Sequence, residues 1–160
     1  MYYAKYIDSA SGDDLLAALV QVGEETVAVI KHMSEEDGNY AYADGKWSVK
    51  QVLQHIVDVE RIFCYRALRF ARKDVTDLPG FDEDFYADND GTKDVKLVAI
   101  LEDYENVNKA TVSLFKSFPS NRLDIEALAS GVVMTPRILG WSIVGHNTHH
   151  LSVINTRYKK

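Results

Sequence analysis

Apolar residues recur along this chain at helical spacing in four long stretches, separated by polar segments. The first spans about residues 13–33, with Leu15, Leu16, Leu19, Val22, Thr26, Val29 and Ile30 on its inward side. Asp13 and Asp14 suit the electropositive start of such a helix, and Lys31 and His32 suit its end. The second opens at Ser48, which stands three residues ahead of Gln51 as a capping-box pair. Val49, Val52, Leu53, Ile56, Val59, Ile62, Phe63, Ala67 and Phe70 then carry a broad apolar face to about Ala71. The third spans about residues 93–118, around Leu97, Ile100, Leu101, Tyr104, Val107, Ala110, Thr111 and Leu114, and Pro119 ends it. The fourth has Thr135 as N-cap and Pro136 as first helical residue, and reaches about Arg157.

The segments between these stretches differ in character. Residues 34–45, rich in Asp, Gly and Asn, read as a loop. Residues 73–94 form an acidic loop too long to be a mere connector. Residues 121–133 hold a short helical turn or a β-like excursion. No β alternation of convincing length, internal repeat or low-complexity segment is present. Four amphipathic helices predict one all-α domain over residues 1–160, a four-helix bundle. The loops after the first two helices are not minimal, so simple up-down-up-down order does not follow.

Composition narrows the function. Hydrophobic residues make up 46% and charged residues 26%, as in ordinary soluble domains. Acidic residues outnumber basic ones, 24 to 18, which argues against a general nucleic-acid binder or a protein that docks on anionic membranes. No apolar run approaches a membrane span, and the N-terminus lacks the pattern of a signal peptide. The single cysteine, Cys64, excludes an internal disulfide framework, and a cytoplasmic location is expected. Cys64 lies in an apolar helical stretch and reads as an inert buried thiol. Nine tyrosines and two tryptophans exceed what the core of a small bundle needs, and predict a homodimer interface.

The histidines carry the chemistry. His146 and His150 stand four apart in the last helix, one turn from each other on one face. Both sit in an apolar strip with Leu139, Ile143 and Val153. Two imidazoles so placed can grip one metal ion, and His55, set among Val52, Ile56 and Val59, can supply a third from a facing helix. Three protein ligands with an open fourth position is the arrangement of a catalytic rather than a structural zinc. Asp58 is the nearest acceptor in sequence for the other nitrogen of His55. His32, at a helix C-terminus, is set aside, and His149 lies off the His146–His150 line in a supporting role. Asn147 stands where the metalloprotease pattern His-Glu-x-x-His needs its glutamate, so no built-in base follows His146. Paired Glu-x-x-His motifs, a phosphate loop and a nucleophile elbow are absent.

In combination these features resemble the DinB/YfiT-like superfamily, bacterial four-helix bundles with a tri-histidine metal site. The resemblance rests on the run Lys46-Trp47-Ser48-Val49-Lys50-Gln51-Val52-Leu53-Gln54-His55-Ile56-Val57-Asp58-Val59-Glu60-Arg61. It rests also on Leu78-Pro79-Gly80-Phe81-Asp82-Glu83-Asp84, and on Leu139-Gly140-Trp141 through Gly145-His146-Asn147-Thr148-His149-His150. It covers nearly the whole chain. It implies helices in up-down-down-up order, His55, His146 and His150 as ligands of a divalent ion such as zinc or nickel, and a dimer.

The resemblance implies several activities. The first is a thiol S-transferase acting on small electrophiles, in which the metal holds a low-molecular-weight thiol as thiolate. A thiol bearing carboxylates would want cations nearby, and Arg66, Arg69 and Arg137 are the candidates. The second is a metal-dependent hydrolase of a small substrate, with Glu60 or Asp84 as candidate base. The third is a non-catalytic metal-binding stress protein. The transferase is placed first, although acidic residues 82–84 oppose an anionic thiol if their loop covers the site. That loop is expected to border the mouth of the metal site, with Phe81 anchoring it in the core.

Overall fold

A computed structural model describes residues 14–158 of the chain. Its long helices are α1 (Leu15–Ile30), α3 (Val49–Ala71), α5 (Leu97–Lys116) and α6 (Pro136–Arg157). Three of them start where a side chain accepts the otherwise unpaired N–H groups of a first turn. Asp14 accepts from Leu16 and Ala17, and Thr135 accepts from Ile138 ahead of a proline-started turn. Ser48 and Gln51 form the expected capping box, at 3.3 Å and 3.0 Å. Residue 13, the expected start of the first helix, lies outside the described residues.

The connections hold more structure than their composition implies. Within residues 34–45 a one-turn helix, α2 (Glu35–Asn39), forms on a second capping box between Ser34 and Asp37. Within the long acidic segment, α4 (Glu83–Asp88) is capped by Asp82, which accepts from Asp84 and Phe85. The third long helix begins at Leu97 rather than near 93, because Asp90 accepts from Thr92 and closes a separate 3₁₀ turn, Thr92–Asp94. Residues 120–134 realise both expected forms: a 3₁₀ turn, Ser120–Arg122, then an antiparallel hairpin of β1 (Ala127–Ala129) and β2 (Val132–Met134).

Paired residues fix the helix directions. Trp47 meets Tyr158 and His55 meets His146, so α3 and α6 run antiparallel. Arg61 meets Asp103 and Cys64 meets Thr111, so α3 and α5 run parallel. Leu19 meets Asn108 while Glu35, beyond α1, meets Leu97, so α1 opposes α5. Leu15 lies against Gly140, and Ile30 shares a cluster with Ile154, so α1 and α6 run together. The order is up-down-down-up. Each long helix packs chiefly on two others: α1 and α3 both lie between α5 and α6. Because α3 and α5 point the same way, residues 72–96 must travel the length of the bundle. They are tied down by Leu78, which exchanges backbone hydrogen bonds with Leu128 and Ser130, and by Gln51, which donates to the Ala87 carbonyl.

Two apolar clusters fill the bundle. One gathers Leu15, Leu19, Val22, Val59, Phe63, Ala67, Phe70, Phe115, Met134, Leu139 and Ile143. The other gathers Ile30, Val49, Val52, Leu53, Ile56, Val57, Leu97, Ile100, Leu101, Tyr104, Val107 and Ile154. Gly140 permits close approach of α1 and α6, since a Cβ there would stand 2.7 Å from the Leu15 side chain. Between the clusters lies a layer of buried polar side chains: Thr26, Glu60, Asn108, Thr111, His146 and Asn147. Among the described residues no helix is long and apolar enough to cross a membrane.

Candidate metal centre

The polar layer reaches the cleft side of the bundle as a cluster of three histidines. His55, on α3, is 7% exposed and His146, on α6, is 5% exposed. The His55 Nε2 lies 3.0 Å from the His146 Nε2, which lies 3.1 Å from the His150 Nε2. All three donor atoms fall within 4.8 Å of one another. Nitrogens bound about 2.0–2.1 Å from one ion stand roughly 2.9–3.3 Å apart, for ligand angles between octahedral and tetrahedral. The observed separations match. Hydrogen bonding alone serves this cluster poorly, because one Nε2 on His146 carries either a proton or a lone pair and faces two neighbours. Burial pushes the His55 imidazole down to about 4, which keeps the ring in its neutral, ligating form.

The surroundings hold the rings in place. The Trp47 indole stands 4.9 Å from the His55 ring, and His149 packs edge-on against His150 at 5.2 Å. His149 is therefore beside the cluster and outside it. Asp58 borders the same small space as His55, with Asp90 and Gln51, and accepts from Gln54. Burial raises its carboxyl above the ordinary range.

A cleft of about 500 Å³ opens at His146. Val59, Phe63 and Val132 supply apolar wall, and Asp82, Glu83 and Asp84 line the rim. The acidic segment thus borders the site. Phe81 anchors it, half-buried against the first cluster and 5.3 Å from the Tyr86 ring. Asp84 also borders a second hollow with His149, His150 and Trp47, so it stands at the mouth on both sides of the histidine cluster.

The other candidates separate clearly. Glu60 is 1% exposed in the polar layer and does not line the cleft. Burial pushes its carboxyl up to about 7, and neither oxygen has a hydrogen bond of good geometry, although Thr111, Asn147 and Asn108 stand around it. Arg69 pairs with Asp74 and donates to Tyr65, while Arg137 holds Asp124 through two hydrogen bonds. Both are engaged away from the cleft. Arg66 lies buried behind the cleft wall, donating to the Pro79 carbonyl and the Ser130 hydroxyl. None of the three arginines lines the cleft itself. Burial pushes the Cys64 thiol up to about 12, and the group contacts the Thr111 hydroxyl as an inert side chain. Gly80 belongs to the segment expected at the mouth, whereas Ser130 is not singled out by the sequence; the Ser-Gly pair between two short apolar triplets is the available signal for the turn that carries it.

A family profile described as the DinB superfamily matches residues 18–154. The chain belongs to the DinB superfamily. A protein of Oceanobacillus iheyensis named "Putative metal-dependent hydrolase OB0413" is 24% identical over 131 residues, covering 78% of this chain and 72% of that protein. YfiT from Bacillus subtilis, described as "a probable metal-dependent hydrolase with an unusual four-helix bundle topology", superposes with a TM-score of 0.78 at 17% identity. That likeness covers 88% of this chain and 82% of YfiT, and shows that the four-helix bundle fold is shared.

Proposed function

We propose that this DinB-superfamily chain is a metal-dependent hydrolase of a small substrate, with His55, His146 and His150 holding a divalent ion, zinc or nickel. The supporting observation is the meeting of three neutral-capable imidazole nitrogens at the wall of a cleft large enough for a small molecule. The names given to the Oceanobacillus and Bacillus proteins point the same way.

A bound divalent ion would supply Lewis acidity there, for a water. The chain's own residues do the rest. The three histidines orient the centre, and Val59, Phe63 and Val132 enclose the apolar part of a substrate. Asp84, at the mouth on both sides of the cluster, takes the proton of the attacking water. Glu60, the other candidate base, is buried in the core and does not line the cleft.

The thiol S-transferase reading fits less well. It wants cations for an anionic thiol, and among the described residues the cleft is lined by three carboxylates and by no lysine or arginine. The test is turnover of a panel of small aryl esters and amides by the zinc- and nickel-loaded protein. Hydrolysis that a chelator abolishes and added metal restores is expected. Turnover of an electrophile only when a thiol is added would replace this reading with the transferase. Metal uptake without turnover of any substrate in either panel would leave a metal-binding protein without catalysis.

A further inference from the structure

Arg66 is 2% exposed, and among the described residues no carboxylate pairs with it. A buried cation without an anion is costly unless its N–H groups are well used. Here one terminal nitrogen, Nη2, donates to the Pro79 carbonyl at 2.9 Å and to Ser130 Oγ at 3.0 Å, while Nη1 has no hydrogen-bond partner and the guanidinium lies over the Phe63 ring, 5.8 Å from its centroid. Both partners belong to the two segments that build one end of the cleft, Pro79-Gly80 and the β1–β2 turn. Serine is also an unusual choice at 130. Its φ is 54°, and Gly131 follows at 72°, the left-handed pair that a tight hairpin turn requires. Glycine or asparagine fits such a position with less strain. Gly80 leaves room for the hydroxyl: a Cβ there would stand 3.3 Å from Ser130 Oγ.

We propose that the Ser130 hydroxyl, held by Arg66, is the hydrogen-bond donor that receives the acyl oxygen of the substrate in the cleft beside His146. The inference rests on the hydrolytic reading of the same cleft. Because Arg66 donates to Ser130 Oγ, the oxygen is an acceptor on that side and its own proton is left for another partner. A donor whose oxygen already accepts from a guanidinium is a stronger donor. In hydrolysis the water oxygen bonds to the acyl carbon and the carbonyl electron pair moves onto its oxygen. The Ser130 O–H meets that growing charge. When the pair returns, the bond to the alkoxide or amine breaks, and that group leaves with the proton taken up by Asp84. The substrate class is then an ester or amide whose carbonyl oxygen turns toward the β1–β2 hairpin and whose acyl carbon faces the histidines. Ser130 is the residue in contact with substrate, and Arg66 is a positioning residue acting through it.

The experiment uses cobalt(II)-loaded full-length protein and acetohydroxamate, followed by the visible cobalt spectrum, beside turnover of 4-nitrophenyl acetate by the zinc form. Ser130→Gly keeps the turn and removes the hydroxyl; Ser130→Ala removes it on a strained backbone. Both should weaken acetohydroxamate and lower kcat roughly a hundred-fold or more, the scale of one lost oxyanion donor. Cobalt affinity should stay unchanged, and the Ser130→Gly thermal midpoint should be equal or higher. Arg66→Lys should lose part of the effect, and combining it with Ser130→Ala should add little to Ser130→Ala alone, because the two act as one unit. A parent that binds acetohydroxamate through Ser130 but hydrolyses nothing would sink the hydrolytic reading and keep the donor. Acetohydroxamate binding within two-fold of the parent in Ser130→Gly would overturn the donor whatever the turnover. A parent that takes up no cobalt, or no acetohydroxamate, overturns it as well.

Discussion

Tyr104 donates its hydroxyl to Asn147 Oδ1 at 2.9 Å, in the middle of the bundle and one residue beyond His146. Asn147 in turn donates to the Ile143 carbonyl at 3.0 Å. The residue after the first histidine of the last helix therefore faces the core, while His146 faces the cleft. A glutamate at 147 could not act as base here, so the departure from the metalloprotease pattern follows from the direction of the side chain. Tyr104→Phe should destabilise the fold by about 1–2 kcal/mol in urea denaturation, because it leaves a buried amide oxygen without its donor. Metal stoichiometry should not change.

The same layer makes stability depend on pH through Glu60. Its carboxyl rises from an ordinary 4.5 to about 7 on burial, so the folded chain keeps a proton that the unfolded chain releases. A raised folded value means that the contribution is fully present below about pH 4.5 and is lost as pH rises through about 7. The parent should lose stability on the order of 3 kcal/mol between those limits. Glu60→Gln should flatten that part of the profile and leave the fold more stable than the parent at pH 8. Equal pH profiles for parent and variant would show that Glu60 titrates normally.

Ser48 caps the helix that carries His55. Ser48→Ala should cost about 1 kcal/mol, measured by chemical denaturation, because the Gln51 N–H loses its acceptor. Gln51 also donates to the Ala87 carbonyl, so Gln51→Ala should cost more and should loosen the segment along the cleft, visible as faster amide exchange over residues 83–90.

The acidic rim is separable from the histidines. Asp82→Asn with Asp84→Asn should alter substrate affinity or turnover while metal affinity stays near that of the parent. Asparagine still caps α4, so the α4 turn should persist. A double variant equal to the parent in both substrate affinity and turnover would reduce the segment to a connector.

Much of this was legible in the sequence, for identifiable reasons. The four long helices follow from apolar spacing, and the starts at Ser48 and Thr135 follow from capping chemistry. The pairing of His146 with His150 follows from helical periodicity. The choice of His55 as third member needs the antiparallel packing of α3 on α6, which no local pattern encodes. The two short helices were hidden because Gly38 and Asn39 in one, and Asp-rich composition in the other, read as loop; their capping residues, Ser34 with Asp37 and Asp82, were the visible clue. Glu60 and the three arginines were not resolvable from spacing. A charged residue on a helix can face solvent, cleft or core, and only the packing of α3 against α5 and α6 sends Glu60 inward.

Equilibrium dialysis against zinc, with metal counted per chain, tests the central claim most directly. The parent should bind one ion per chain, and His55→Ala, His146→Ala and His150→Ala should each lower affinity by roughly a hundred-fold or more, since each removes one of three ligands. A variant lacking all three histidines that still takes up one zinc per chain with the parent's affinity would contradict the metal centre and everything built on it.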